Sequence, residues 1–169
     1  MLLEIYLRKP KNHIEQLINN IQSHNVKVIF KKANAANADS REQVIHELKK
    51  QKINVKALIH SLAFGALKPF INENTNEQLT KPNIDMTLDV MSNSLIYWTQ
   101  DLFHNKLLNP GSQIISMTSA GNSKQWDSYG AVSMAKAALE SATRQLAFEL
   151  APHKIACNCI QAGVTLTPA

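Results

Sequence analysis

Apolar residues recur along this chain in two alternating rhythms. Leu2 to Leu7 is a short apolar run and reads as a strand. Ile14, Leu17, Ile18 and Ile21 then return at helical spacing, giving an amphipathic helix to about His24. Val26 to Phe30 reads as a second strand. Asp39 or Ser40 can cap the helix that runs through Val44, Ile45 and Leu48. Val55 to Ile59 is a third strand, followed by a loop from His60 to Asn83. A helix from about Ile84 to Leu107 presents Val90, Leu95, Trp98 and Leu102. Asn109-Pro110-Gly111 reads as a turn. Gln113 to Met117 is a strand, and a helix from about Asp127 to Leu150 shows Ala135, Leu139, Ala142, Leu146 and Leu150. Pro152 stops it, and Ile155 to Ile160 is the last strand.

Strands alternating with helices predict an α/β fold, with a parallel sheet covered on both faces. Such sheets bind ligands beyond the carboxyl ends of their strands. That rule selects Arg8, Asn34, His60 to Gly65, Ser119 and Gly163 to Thr167.

Composition narrows the class. With 169 residues, 44% hydrophobic and 18% charged, the chain suits a single globular domain over 1–169. No apolar run approaches the ~20 residues of a membrane span, and no leader pattern opens the chain. Cys157 and Cys159 alternate along a strand and read as reduced thiols, which suits the cytoplasm. A metal site would need more ligands near them. The net charge of +5 is carried by scattered lysines without interleaved aromatics. Nucleic acid is therefore not expected, and an anionic cofactor or carrier protein accounts for the charge.

The chemistry gathers between Ser116 and Lys136. A strand ends in Thr118 and Ser119, a polar loop follows, and Tyr129 precedes a helix carrying Lys136. A phenol with a pKa of roughly 10 exchanges protons poorly at neutral pH, and a nearby ammonium favours its ionised form. A serine hydroxyl can hold the substrate oxygen. In a continuous helix, seven residues make about 700° of turn and roughly 10 Å of rise. Tyr129 and Lys136 would share a face without touching, unless a ligand lies between them or the tyrosine sits just before the helix. The plain alternative is a buried tyrosine and a solvent-facing lysine.

These residues resemble those of the short-chain dehydrogenase/reductase family, and within it the enoyl-[acyl-carrier-protein] reductases. The spacing Tyr-x6-Lys, here Tyr129 and Lys136, is the enoyl reductase form; the general family's tyrosine position holds Val132. Ile59 to Gly65 (I-H-S-L-A-F-G) stands where most relatives have Asn-Asn-Ala-Gly. Ala156 to Thr167 resembles the segment after the family's sixth strand, with Ala162-Gly163 for the usual Pro-Gly. Met91 occupies the position where many relatives carry a catalytic asparagine.

The resemblance implies a Rossmann-like doubly wound sheet and NAD(P)H-dependent reduction of a trans-2-enoyl thioester on acyl-carrier protein or CoA. Tyr129 would serve the enolate oxygen, Lys136 the nicotinamide ribose, and Ser119 the family's serine role. Asn34 would lie by the adenine, Ser61 and Ala63 along the cofactor path, and Gly163 and Thr167 by the nicotinamide end. Arg8 suits a 2′-phosphate and favours NADPH, with NADH open. The helices 84–107 and 127–150 would form a homo-oligomer. A 3-oxoacyl or other carbonyl reductase, or a non-catalytic remnant acting as an interaction module, is the alternative.

The family's first strand and glycine-rich turn have no counterpart. The five glycines are Gly65, Gly111, Gly121, Gly130 and Gly163, and none builds that loop. About 30 residues would be absent at the front, judged from one βα unit, and more at the back, where the lid and last strand would lie. The fold is expected to be incomplete, and the isolated chain marginally stable and weakly active or inactive.

Overall fold

The computed structural model describes the backbone of residues 2–6 and 11–163, and side chains from Ile14 to Gly163. The elements are β1 (Leu2–Tyr6), α1 (Lys11–Gln22), β2 (Val28–Lys32), α2 (Ala38–Lys50), β3 (Val55–His60), α3 (Lys81–Leu88), α4 (Ser94–His104), β4 (Leu108–Ser119), α5 (Gly130–Leu150) and β5 (Ala156–Ala162). The alternation of strand and helix is the one the pattern predicts. The strands, however, form two parallel sheets, β1-β2 and β3-β4-β5, rather than one. The chain divides into two compact units, one up to Val44 and the other from Ile45.

In the first unit β1 and β2 pair with Leu2 opposite Val28 and Tyr6 opposite Lys32. The helix that follows β2 is capped by Asn37, not by the expected Asp39 or Ser40. Asn37 Oδ1 accepts the Ser40 N–H at 2.8 Å. The cap residue must stand three before the amide it accepts, so Asp39 and Ser40 fall inside the first turn.

In the second unit β4 lies between β3 and β5, with His60 opposite Ser116 and Ser119 opposite Ala162. Side chains alternate across a strand. Ile114 and Cys157 therefore share one face, which α4 and α5 cover. Leu95, Trp98 and Leu102 from α4 and Leu139, Leu146 and Leu150 from α5 are buried. Each such side chain contributes about 1.5–3 kcal/mol. On α5 Thr143 is buried, while Ala142 is only half-buried, so the inner face lies slightly off the one read from apolar residues alone. On the opposite face Ile59 and Ile160 are 59% and 48% exposed.

Three local readings change. Asn109-Pro110-Gly111 belongs to β4 as a bulge: β3 advances from Val55 to Ala57 while β4 advances from Leu108 to Gln113. Ser112 Oγ secures it, accepting the Asn109 N–H and donating to Val55 O. The helix expected over 84–107 starts at Lys81, with Pro82 in its first turn. Between α3 and α4 it passes through a π-helical turn at Asp89–Asn93. The final helix begins at Gly130, later than Asp127.

Candidate active site

Three strand ends of the second unit meet on one edge. Ser61 and Ala63 follow β3, Ser119 ends β4, and Gly163 follows β5. All four were selected from sequence. Ser61, Ala63 and Gly163 are exposed. Asn34 follows β2 in the first unit, and its Oδ1 accepts the Ala36 N–H at 3.0 Å, a local turn. Arg8 and Thr167 lie outside the described residues.

Tyr129 stands immediately before α5, with φ −101° and ψ 4°, and its carbonyl accepts the Ser133 N–H at 2.9 Å. The tyrosine thus stands just before the helix, as the helix-capping residue. The tyrosine is half-buried. Trp126 meets its ring edge-on with centroids 5.2 Å apart. Gly121 backs the ring, and a Cβ there would come within 2.5 Å of Tyr129 Cε1. Only glycine admits so close an approach. Met91, Val132 and Ala135 form the apolar packing beneath. Met91 lies in the π-helical turn, so the position where many relatives carry asparagine here supplies an apolar wall.

Lys136 is buried rather than solvent-facing. Its Nζ donates to Met117 O at 2.7 Å. Burial holds the ammonium below its ordinary range, and Cys159 acts in the opposite direction. Ser119 lies between Met117, bound to Lys136, and Gly121, pressed on Tyr129. Its Oγ is buried and makes no hydrogen bond. A buried hydroxyl without a partner costs about 1–3 kcal/mol, and a ligand oxygen would satisfy it.

His60 closes the site from β3. Ser94 Oγ donates to Val90 O at 2.7 Å, so it accepts from His60 Nε2, 2.8 Å away. The imidazole therefore carries its proton on Nε2, and the lone pair of Nδ1 is buried without a partner. Burial, with the Lys136 charge second, pushes the imidazole down to about 4, so it stays neutral. The loop after β3 is held by Gly65, where a Cβ would meet Thr87 and Val132 at 2.7 and 2.8 Å. Thr87 Oγ1 also accepts the Ala66 N–H.

Tyr129 thus stands one residue before α5, Lys136 is buried on that helix, and Ser119 ends the strand to which Lys136 is bonded. Residues 2–169 match the family described as enoyl-(acyl carrier protein) reductase. The chain belongs to that family. It is 35% identical over 133 residues to an enoyl-acyl-carrier-protein reductase (NADH), FabI, of Enterococcus faecalis, covering 78% of this chain and 52% of that one. Its identity to the corresponding FabI (NADPH) of Staphylococcus aureus is 28% over 127 residues, with coverage of 73% and 48%. The solved enoyl reductase (NADH) of Aquifex aeolicus shares the fold, with a TM-score of 0.81 at 22% identity, covering 98% of this chain and 62% of that one. The chain thus spans about half the length of the curated relatives it matches.

Trp126, Glu140 and the role of His60 escape a reading by residue type. Glu140 stands one helical turn after Lys136 and so shares its face, which is the signal that points to it. Nothing along the chain pairs His60 with Ser94. Among the described residues, no group of His, Cys, Asp and Glu is placed to hold a metal ion. No described helix is long and apolar enough to cross a membrane.

Proposed function

We propose that this protein is an NAD(P)H-dependent oxidoreductase that reduces trans-2-enoyl thioesters of acyl-carrier protein or CoA. One observation carries the reading. A buried lysine is fixed two helical turns after a tyrosine, and the serine hydroxyl on the adjoining strand end has no partner. The donor set fits a nicotinamide dinucleotide: the Lys136 ammonium has N–H bonds beyond the one to Met117 O, and Ser119 Oγ has made none. A bound reduced nicotinamide would supply the hydride. Tyr129 donates its phenolic hydrogen to the thioester oxygen as negative charge develops there. Lys136 stabilises that charge and orients hydroxyls of the bound ligand. Ser119 adds a second hydrogen bond to the oxygen.

Arg8 favours NADPH by its fit to a 2′-phosphate. The relatives' names include both NADH and NADPH. Self-association through the helices 84–107 and 127–150 belongs to the same proposal, supported by Met134 and Phe148, 43% and 79% exposed on one side of α5. The proposed setting is the cytoplasm.

Crotonyl thioester turnover with each cofactor tests the reading. Saturated product is expected, and Tyr129→Phe should lower turnover on the order of a hundredfold or more. Hydroxy product from acetoacetyl thioester, without enoyl reduction, would favour a carbonyl reductase. Absence of either product, or turnover indifferent to Tyr129→Phe, would overturn the proposal.

A further inference from the structure

One carboxylate oxygen pins both ends of the segment that carries Ser119. Glu140 Oε1 accepts from Thr118 Oγ1 at 2.6 Å and from Asn122 Nδ2 at 2.6 Å. Thr118 is buried at the end of β4, one residue before Ser119. Asn122 ends the short 3-10 turn Ala120–Asn122, which contains Gly121 and its contact to Tyr129. Glu140 thus spans the serine from both sides.

A carboxylate only accepts, so Asn122 must turn its NH2 toward Glu140. Its Oδ1 is left buried without a partner. The chain tolerates that orphan acceptor in exchange for a charge-assisted bond, which marks the bracket as one the fold maintains. Lys136, one turn earlier on α5, holds the preceding residue through Met117 O. Successive turns of the helix therefore fix residues 117, 118 and 122, and only Ser119 keeps an unused hydroxyl between them.

We propose that Glu140 is a positioning residue, acting through Ser119 by fixing the 118–122 segment so that the serine hydroxyl and the Tyr129 phenol converge on one substrate oxygen. This rests on the reading of the site given under Proposed function. Glu140 itself touches neither substrate nor cofactor.

The experiment uses the full chain with Glu140→Ala, Glu140→Gln, Ser119→Ala and the Glu140→Ala/Ser119→Ala double variant. Hydrogen exchange of the peptide spanning 117–124 is read alongside kcat and KM on crotonyl thioester. Glu140→Ala should speed exchange in that peptide and lower kcat about tenfold with the cofactor KM unchanged, and Glu140→Gln, which keeps the acceptor, should restore most of both. In the Ser119→Ala background the same change should lower kcat less than about twofold, because the two residues act as one unit. Additive losses would overturn the proposal, as would equal losses in the Ala and Gln variants. If the wild type shows no turnover, the functional reading fails separately. Exchange then decides whether the bracket exists, and unchanged exchange in Glu140→Ala overturns it. Should Glu140→Ala not fold, Asn122→Ala, which removes one of the two bonds, takes its place with the same expected direction.

Discussion

Lowering the pH should destabilise the fold through His60. The ring is 4% exposed, and its Nε2–H is committed to Ser94 Oγ at 2.8 Å. Protonation would put a charge on a ring withdrawn from water and close to the Lys136 charge, and a hydrogen bond to the His60 backbone offsets only part of that cost. The imidazole is therefore held at about 4, below its ordinary 6.5. An unfolded chain binds this proton first, so His60 contributes its full stability above pH 6.5 and loses it as the pH falls toward 4. At ~1.4 kcal/mol per unit, the loss amounts to about 3 kcal/mol. Urea unfolding at several pH values between 7.5 and 4, on the wild type and on His60→Gln, isolates the term. Glutamine can place an N–H where Nε2 stands and carries no titrating group, while the carboxylates titrate alike in both proteins. The difference in unfolding free energy between the two should shrink or reverse by about 3 kcal/mol as the pH falls. Parallel curves over that range would refute the argument.

Two further outcomes are expected. Burial, with Cys159 second, pushes the Cys157 thiol up to about 11; at pH 8 Cys159 should be modified by a disulfide reagent well before Cys157, and equal rates by mass spectrometry would contradict this. Gly121→Ala would set a methyl 2.5 Å from Tyr129 Cε1, so it should shift Trp126 emission and cost about 1–3 kcal/mol, and an unchanged near-ultraviolet spectrum would count against the packing described.

The order of elements was legible because each amphipathic period is local. Buried Val90, Leu95, Trp98 and Leu102 were marked by spacing alone. The π-helical turn at Asp89–Asn93 was not, since one widened turn barely disturbs the recurrence of apolar residues. Asn109-Pro110-Gly111 carries turn chemistry and does bend the chain, but strand pairing resumes around it as a bulge. Tyr129, Lys136 and Ser119 could be named because their side chains advertise the chemistry. Glu140 could not, and His60 was marked only by its place at a strand end, not by its role. Each draws its role from a partner far along the chain, Thr118 and Asn122 for the first and Ser94 for the second, and only the packed helix–sheet contact creates those pairs.

The placement of unsatisfied groups makes the stronger case for a site. The helix-facing side of the second sheet is a polar seam: Ser116 meets Thr143 at 2.8 Å, Thr118 meets Glu140, and Lys136 meets Met117 O. Burying such groups is tolerated when each finds a partner. Among the described residues, three buried side-chain atoms find none: His60 Nδ1, Ser119 Oγ and Asn122 Oδ1. They lie at the end of β3, at the end of β4, and three residues beyond it. A cost of about 1–3 kcal/mol apiece, borne by chance, would fall anywhere in the core. Here it falls where parallel strands present their carboxyl ends, beside the tyrosine and the buried lysine. Ser119 Oγ is the atom of the three that lies between the residues Lys136 and Glu140 hold, Met117 and Thr118 before it and Asn122 after it. Asn122 Oδ1 owes its isolation to Glu140 taking the amide's other side, and His60 Nδ1 lacks a hydrogen because the ring's N–H is held on Nε2 by Ser94 Oγ. Two of the three orphans are thus by-products of holding the site's walls in place, and the third is the buried hydroxyl of Ser119 between them.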